Sequence, residues 1–181
     1  MNQMTAVKKS IITAVCAALC VVLPMAFHSI PNAGSIFLPM HIPVILCGLI
    51  AGLPFGLLCG LLGPLLSSLF TGMPPMAYLP MMLIELATYG AAAGAMMHLV
   101  RTKSLYADLY ISLAVILIAG RVVAGIARAF IFSAGEYNVG IWIASYFVSA
   151  WPGLVIQLAL IPTIVFALEK AGLTPHRYPR A

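Results

Sequence analysis

The chain has 181 residues, of which 63% are hydrophobic and 7% charged, with a formal net charge of +5. A soluble domain has about a quarter of its residues charged, so this chain cannot present a solvated surface all round and reads as an integral membrane protein. No long polar segment remains for a second domain, and residues 1–181 read as a single membrane domain with short tails.

Apolar stretches of spanning length, about 17–25 residues, follow one another along the chain. The fold expected is therefore an all-α membrane bundle of six transmembrane helices, at roughly 10–27, 36–53, 54–71, 80–100, 109–132 and 140–168. The first run follows Lys8 and Lys9, as the core of a signal peptide does. Ser10 to Phe27 is longer than such a core, and we read it as a retained helix. The second, "IFLPMHIPVILCGLIAGL", has Pro39 and Pro43 near its start, which leaves a straight helix only from about Ile42. Pro54 after Gly52 and Leu53 suits a tight turn into the third helix.

Lys8 and Lys9 precede the first run, Arg101 and Lys103 separate the fourth and fifth, and Lys170, Arg177 and Arg180 follow the sixth. Six crossings place all of these on one side, which predicts cytoplasmic termini by the bias of basic loops toward the cytoplasm. Three connections then face outward: "HSIPNAGS" (28–35), "GMPPMAYL" (72–79) and "SAGEYNVG" (133–140). Their Gly, Pro and Asn content reads as loop.

Charges inside the spans need partners or a watery cavity. Arg121 and Arg128 are seven apart in "AGRVVAGIARAF" and share one helix face. At about 1.5 Å per residue, Arg128 and Glu85 come level, one turn below the outer surface. An ion pair between them is expected. Arg121 lies deeper with no acidic partner, and either bonds backbone carbonyls or meets an anion from outside the chain. In the sixth run, Asn138, Trp142, Tyr146, Ser149 and Gln157 recur at helical spacing; aromatic rings with polar tips suit a small polar solute. An interfacial aromatic belt is the competing reading for Trp142. His41 enters the second helix from the first outer loop, where it either closes over a ligand or is an ordinary polar loop end. The candidate substrate-binding residues are thus Glu85, Arg121, Arg128, Asn138, Trp142, Tyr146, Gln157 and His41.

Small residues form a second pattern. Gly48, Gly52, Gly56 and Gly60 recur every four positions, as do Gly90 and Gly94, with Ala14 and Ala18 making a similar face on the first helix. Such faces let helices approach closely. Cys16, Cys20, Cys47 and Cys59 lie in apolar runs without a C-x-x-C pair and read as small core residues. The sequence has no phosphate-binding loop, no H-E-x-x-H, no G-x-S-x-G and no acidic cluster for a metal, so no catalytic set, metal site or cofactor is expected. Its basic residues form no patch with interleaved aromatics, which argues against nucleic acid.

The whole pattern resembles the substrate-binding S component of an energy-coupling-factor (ECF) vitamin transporter. The resemblance rests on chain length, six helices, the Ala14–Ala18 face, the run "LPMHIPVILCGLIAGLPFGLLCGLLGPLLSSLFTGMPP" and the ending "WPGLVIQLALIPTIVFALEK". It implies a micronutrient cavity at the extracellular side, lined by the fourth to sixth helices and the outer loops. It implies docking of Ala14 and Ala18 on a transmembrane coupling subunit, two cytoplasmic ATPases that drive uptake, and location in a bacterial plasma membrane. Glu85, Arg128, Asn138 and Tyr146 fall in the regions where the family places its ligands. The arginines favour an anionic, pantothenate- or niacin-like solute; Glu85 could instead receive a cationic or hydrogen-bond-donating group, as in a thiamin- or pyridoxine-like ring, and its expected pairing with Arg128 favours the first. The competing functions are a stand-alone gradient-driven carrier, for which the halves show no clear inverted repeat, and a membrane enzyme or structural subunit.

Overall fold

The computed structural model describes residues 4–27, 29–30, 32–132, 137–175 and 177–178. His28, Pro31, residues 133–136 of the third expected outer loop, His176 and Arg180 lie outside the described residues. The regular structure of the described residues is all helical, without strands, and includes six helices long and apolar enough to cross a membrane.

The elements in chain order are α1 (Ala6–Ala26), α2 (Ala33–Phe37), α3 (His41–Ala51), α4 (Leu53–Thr71), α5 (Leu79–Leu99), α6 (Leu105–Ala127), α7 (Val139–Ile143) and α8 (Trp151–Lys170). Five-residue π-helical turns extend α6 (Arg128–Phe132) and α7 (Ala144–Val148). The second span is interrupted where the prolines predict. Leu38 takes a left-handed conformation (φ 51°) after α2, and α3 restarts at His41. Eleven residues make α3 only about 16 Å long, half the hydrocarbon thickness. It does not face lipid: every residue but Ile50 is buried among its neighbours.

Missing side chains make that burial possible. A Cβ on Gly48 or Gly56 would run into the Gly90 carbonyl, one on Gly90 into the Gly56 carbonyl, and one on Gly60 into the Leu86 carbonyl. One on Gly94 would strike the backbone at Gly52 and Leu53. The two glycine ladders are therefore the contact lines of α3, α4 and α5, whose backbones touch directly. α1 closes this group on one side. It buries Thr13, Cys16, Ala17, Cys20 and Pro24 and leaves Ile11, Val15 and Val22 exposed, as a helix against lipid does. All four cysteines are free and buried at this junction. The Cys47 thiol lies within hydrogen-bond reach of Thr13 Oγ1 (3.5 Å) and the Phe55 carbonyl, which compete for its one S–H, and Cys20 donates to the Met40 carbonyl. No group of three or more His, Cys, Asp or Glu side chains among the described residues is placed to hold a metal ion.

The sixth apolar run, expected as one helix over 140–168, is broken. α7 and its π turn end at Val148, and α8 begins at Trp151 with Pro152 in its first turn. Proline has no N–H to continue the preceding helix and is pre-set to start a new one. Residues of the two halves therefore do not share one face.

At the opposite end of the bundle a clasp ties down the C-terminal tail. Asp108, wholly buried in the first turn of α6, accepts from the Thr102 backbone N–H (2.7 Å) and hydroxyl (2.8 Å). It also accepts from Arg177 and Tyr178, and the Arg177 guanidinium reaches the Val100 carbonyl as well.

Candidate functional site

One end of the bundle is hollow. A cavity of about 580 Å³ lies beneath the ends of α1 and α6 and the starts of α3 and α5, roofed by residues of the α1–α2 and α4–α5 connections. Its volume is within the range of pockets that hold small molecules. Five of the eight sequence candidates line it: His41, Glu85, Arg121, Arg128 and Tyr146.

Arg121 sits at its base, only 1% exposed. The sequence left two fates for this guanidinium, and the structure shows the first and leaves room for the second. Nε donates to the Tyr146 carbonyl (2.9 Å), and Nη1 to the Leu117 carbonyl (2.9 Å) and the Tyr89 hydroxyl (3.0 Å). The Phe147 ring lies 5.6 Å from Cζ, in cation–π range. Nη2 has no protein acceptor among the described residues, and Arg121 lines the cavity. A guanidinium with three bonds fixed and two N–H groups left over is rigid, oriented and positive.

The local folding that fixes it is legible residue by residue. Gly120 leaves the notch in which the Tyr89 ring lies, and Gly125 leaves one for Trp142; a Cβ at either would overlap the ring. Trp142 Nε1 donates to the Arg121 carbonyl (3.0 Å) and its ring packs edge-on against Phe147, so Trp142 braces Arg121 from outside the cavity lining. The π turn after α7 presents the Tyr146 carbonyl to Arg121 and brings Ser145 and Tyr146 to the cavity wall. Wide turns of this kind free carbonyls that an ordinary helix would use internally, and they recur at functional sites.

The expected Glu85–Arg128 ion pair does not form. Glu85 Oε1 instead accepts from His41 Nε2 at 3.2 Å. Arg128 lies over the Tyr137 ring, 5.2 Å from its centroid, and forms no ion pair among the described residues. Depth along two spans places residues level without fixing their direction around each axis. The break at Leu38 then supplies a nearer partner from the start of α3. His41 is 2% exposed, and its ring meets Tyr89 edge-on at 4.9 Å. Glu85, His41, Tyr89 and Arg121 therefore form one chain of polar side chains, hydrogen-bonded at its two ends and joined in the middle by the edge-on contact of the His41 and Tyr89 rings.

The remaining three candidates fall elsewhere. Asn138 caps α7, its side chain accepting from the Ile141 N–H at 3.0 Å. Trp142 is the brace already described. Gln157, fully buried on α8, has no hydrogen-bond partner for either amide atom among the described residues and does not line the cavity. Ser149 hydroxyl is occupied by the Ala144 carbonyl. Sequence reading missed Tyr89, which links the two ends of the polar chain, and the methionine lining of Met40, Met73, Met81 and Met82. The second had a signal, since four of the chain's ten methionines fall between 73 and 82 and flexible thioethers suit adaptable binding walls. Tyr89 sits in "LATYGAAAG" with nothing local to mark it.

No curated protein and no solved structure gives a significant match to the chain. The family model described as "ECF transporter, substrate-specific component" matches residues 8–174. With six helices fit to cross a membrane and a polar-floored hollow at one end, the chain belongs to that family: it is a multi-pass membrane protein and a substrate-specific subunit of an ECF transporter.

Proposed function

We propose that the cavity captures an anionic, water-soluble vitamin or vitamin precursor, of pantothenate- or niacin-like chemistry, at the outer face of the cell membrane. A coupling subunit and two ATPases then import it. The observation that carries the anionic reading is Arg121, whose Nη2 has no protein acceptor among the described residues and which lines the cavity together with Arg128. Glu85 is held by His41 and not by Arg128, so its carboxylate stays open to a donor group. Among the described lining residues two guanidinium groups still face that one carboxylate, which leaves positive charge for a solute to neutralise. Orientation is supported by the distribution of the other cations. Lys8 and Lys9 at the start of α1, Arg101 and Lys103 between α5 and α6, and Lys170 at the end of α8 all belong to the end away from the cavity. That is the pattern of a cytoplasmic face.

Docking on the coupling subunit falls to α1. Ala14 and Ala18 lie on its exposed side, away from the buried stripe Thr13–Cys16–Ala17–Cys20, and a small-residue face permits close helix approach. The test is uptake by vesicles that hold the chain alone or with its coupling subunit and ATPases, together with mass spectrometry of the solute that co-purifies. ATP-dependent uptake of an acid by the complete assembly alone is expected, and Ala14→Trp should abolish it while leaving solute binding intact. Transport by the chain alone, or a co-purified solute without an acidic group, would overturn the reading.

A further inference from the structure

Glu85 is a problem for a plain anion site. Its carboxylate lines the same cavity as Arg121 and Arg128 and is not neutralised by either. His41 holds Oε1 at 3.2 Å, and with a carboxylate as acceptor the proton lies on His41 Nε2. Oε2 has no protein donor among the described residues. A solute that offered only a carboxylate would bring a second negative charge into the cavity that Glu85 lines, and the two like charges would repel. A hydroxyl or amide N–H on the same solute would convert that cost into a charge-assisted hydrogen bond.

We propose that the solute is a monoanion that also carries a hydrogen-bond donor, a hydroxyl or amide group, and that Glu85, oriented by His41, receives this donor while the acid meets Arg121. The inference rests on the reading of the cavity as an anion site and narrows its substrate class. The two poles are parts of one rigid chain. His41 bonds Glu85 and packs edge-on against Tyr89, and Tyr89 accepts from Arg121. The spacing between donor and acid is thereby set by buried side chains, since His41, Tyr89 and Arg121 are each no more than 2% exposed. Both poles line one cavity of about 580 Å³, within the range that holds a small molecule. A single-ring acid such as nicotinate has an acid and no donor, and satisfies one pole only.

The experiment is calorimetric titration of the detergent-purified full chain with three carboxylates: pantothenate, which carries hydroxyls and an amide, and nicotinate and hexanoate, which carry no donor. Wild type should bind pantothenate about ten- to a hundredfold tighter than the other two, the strength of one hydrogen bond to a charged acceptor. Glu85→Ala should remove that preference and tighten nicotinate and hexanoate binding, since their carboxylates no longer meet a second negative charge. Should the alanine variant fail to fold by thermal unfolding, Glu85→Gln keeps the side-chain shape and is expected to shift the preference in the same direction by less. Equal binding of all three probes by wild type, or a preference untouched by both variants, would overturn the donor assignment and leave the anion site standing. Binding of none of the three would overturn the anion site and this inference together.

Discussion

The two halves of this bundle are held together in different ways. Through the middle, α3, α4 and α5 meet backbone to backbone, with a glycine on at least one side of each closest approach. At the cavity end the helices stop, widen or break. α2 is five residues long, Leu38 is left-handed, and both α6 and α7 run into π turns. There the contacts are hydrogen bonds from buried polar groups. Close-packed backbone leaves no hollow, and broken helices leave carbonyls, gaps and side chains that point inward. The cavity lies where the helices break, and the close-packed glycine contacts lie away from it.

Glycine substitutions should expose this difference most sharply. Gly90→Ala places a methyl against the Gly56 carbonyl and within 3.2 Å of Val44. Backbone cannot yield as a side-chain tip does, and a cost of about 3 kcal/mol is expected. Gly34→Ala is the same chemical change at the cavity end. Nothing lies within 4 Å of its Cβ, and alanine is favoured over glycine in a helix by about 0.5–1 kcal/mol. Thermal unfolding of the two variants in one detergent should show a large drop for the first and none for the second. Similar drops for both would mean that the ends are packed alike.

Arg121 comes next. Arg121→Met keeps the apolar stem and removes the charge, leaving the Tyr146 and Leu117 carbonyls and the Tyr89 hydroxyl without their donor. Affinity for an anionic solute should fall about a hundredfold, the upper range for a hydrogen bond to a charged group. Lysine should not restore it. Its single ammonium cannot bond Tyr146, Leu117 and Tyr89 and still present an N–H to the cavity in the fork geometry of arginine. Titration of the wild-type, Met and Lys chains decides this, and full affinity in the lysine variant would show that charge alone suffices.

The contrast between the two regions also explains which features the sequence disclosed. Glycine every four residues is a local, periodic signal of close helix approach, and Gly48, Gly56, Gly60, Gly90 and Gly94 do lie on the α3–α4–α5 contact lines. The same spacing at Ala14 and Ala18 falls on an exposed face, so the pattern does not say which helices meet. The prolines at 39 and 43 similarly mark the interruption that His41 follows. Intramembrane charges announce themselves because they are costly in lipid, so Glu85, Arg121 and Arg128 were legible as cavity residues. Their partners were not. Which group lies beside Glu85 depends on how α3 rotates after Leu38, and no spacing rule encodes that. The break before α8 separated Gln157 from Tyr146, which periodicity alone had placed on one face. Pro152 was visible in "SAWPGL" as the signal to split the run.

Asn138 gives the smallest effect and a clean way to separate shaping from binding. The sequence makes it a candidate ligand, while the structure shows its Oδ1 accepting the Ile141 N–H at the start of α7. Replacing a cap of this kind by alanine costs about 1 kcal/mol, and serine largely substitutes for it. Because α7 spans five residues, the loss should stay local. Hydrogen exchange should quicken over Val139–Val148 in Asn138→Ala, with protection of α3 and α5 unaltered. Tyr146 lies on the π turn that α7 leads into, and its carbonyl holds Arg121, so solute affinity should weaken a few-fold through that connection. Asn138→Ser should recover both the exchange rates and the affinity. A serine variant that restores protection but not affinity would show instead that the asparagine amide itself touches the solute.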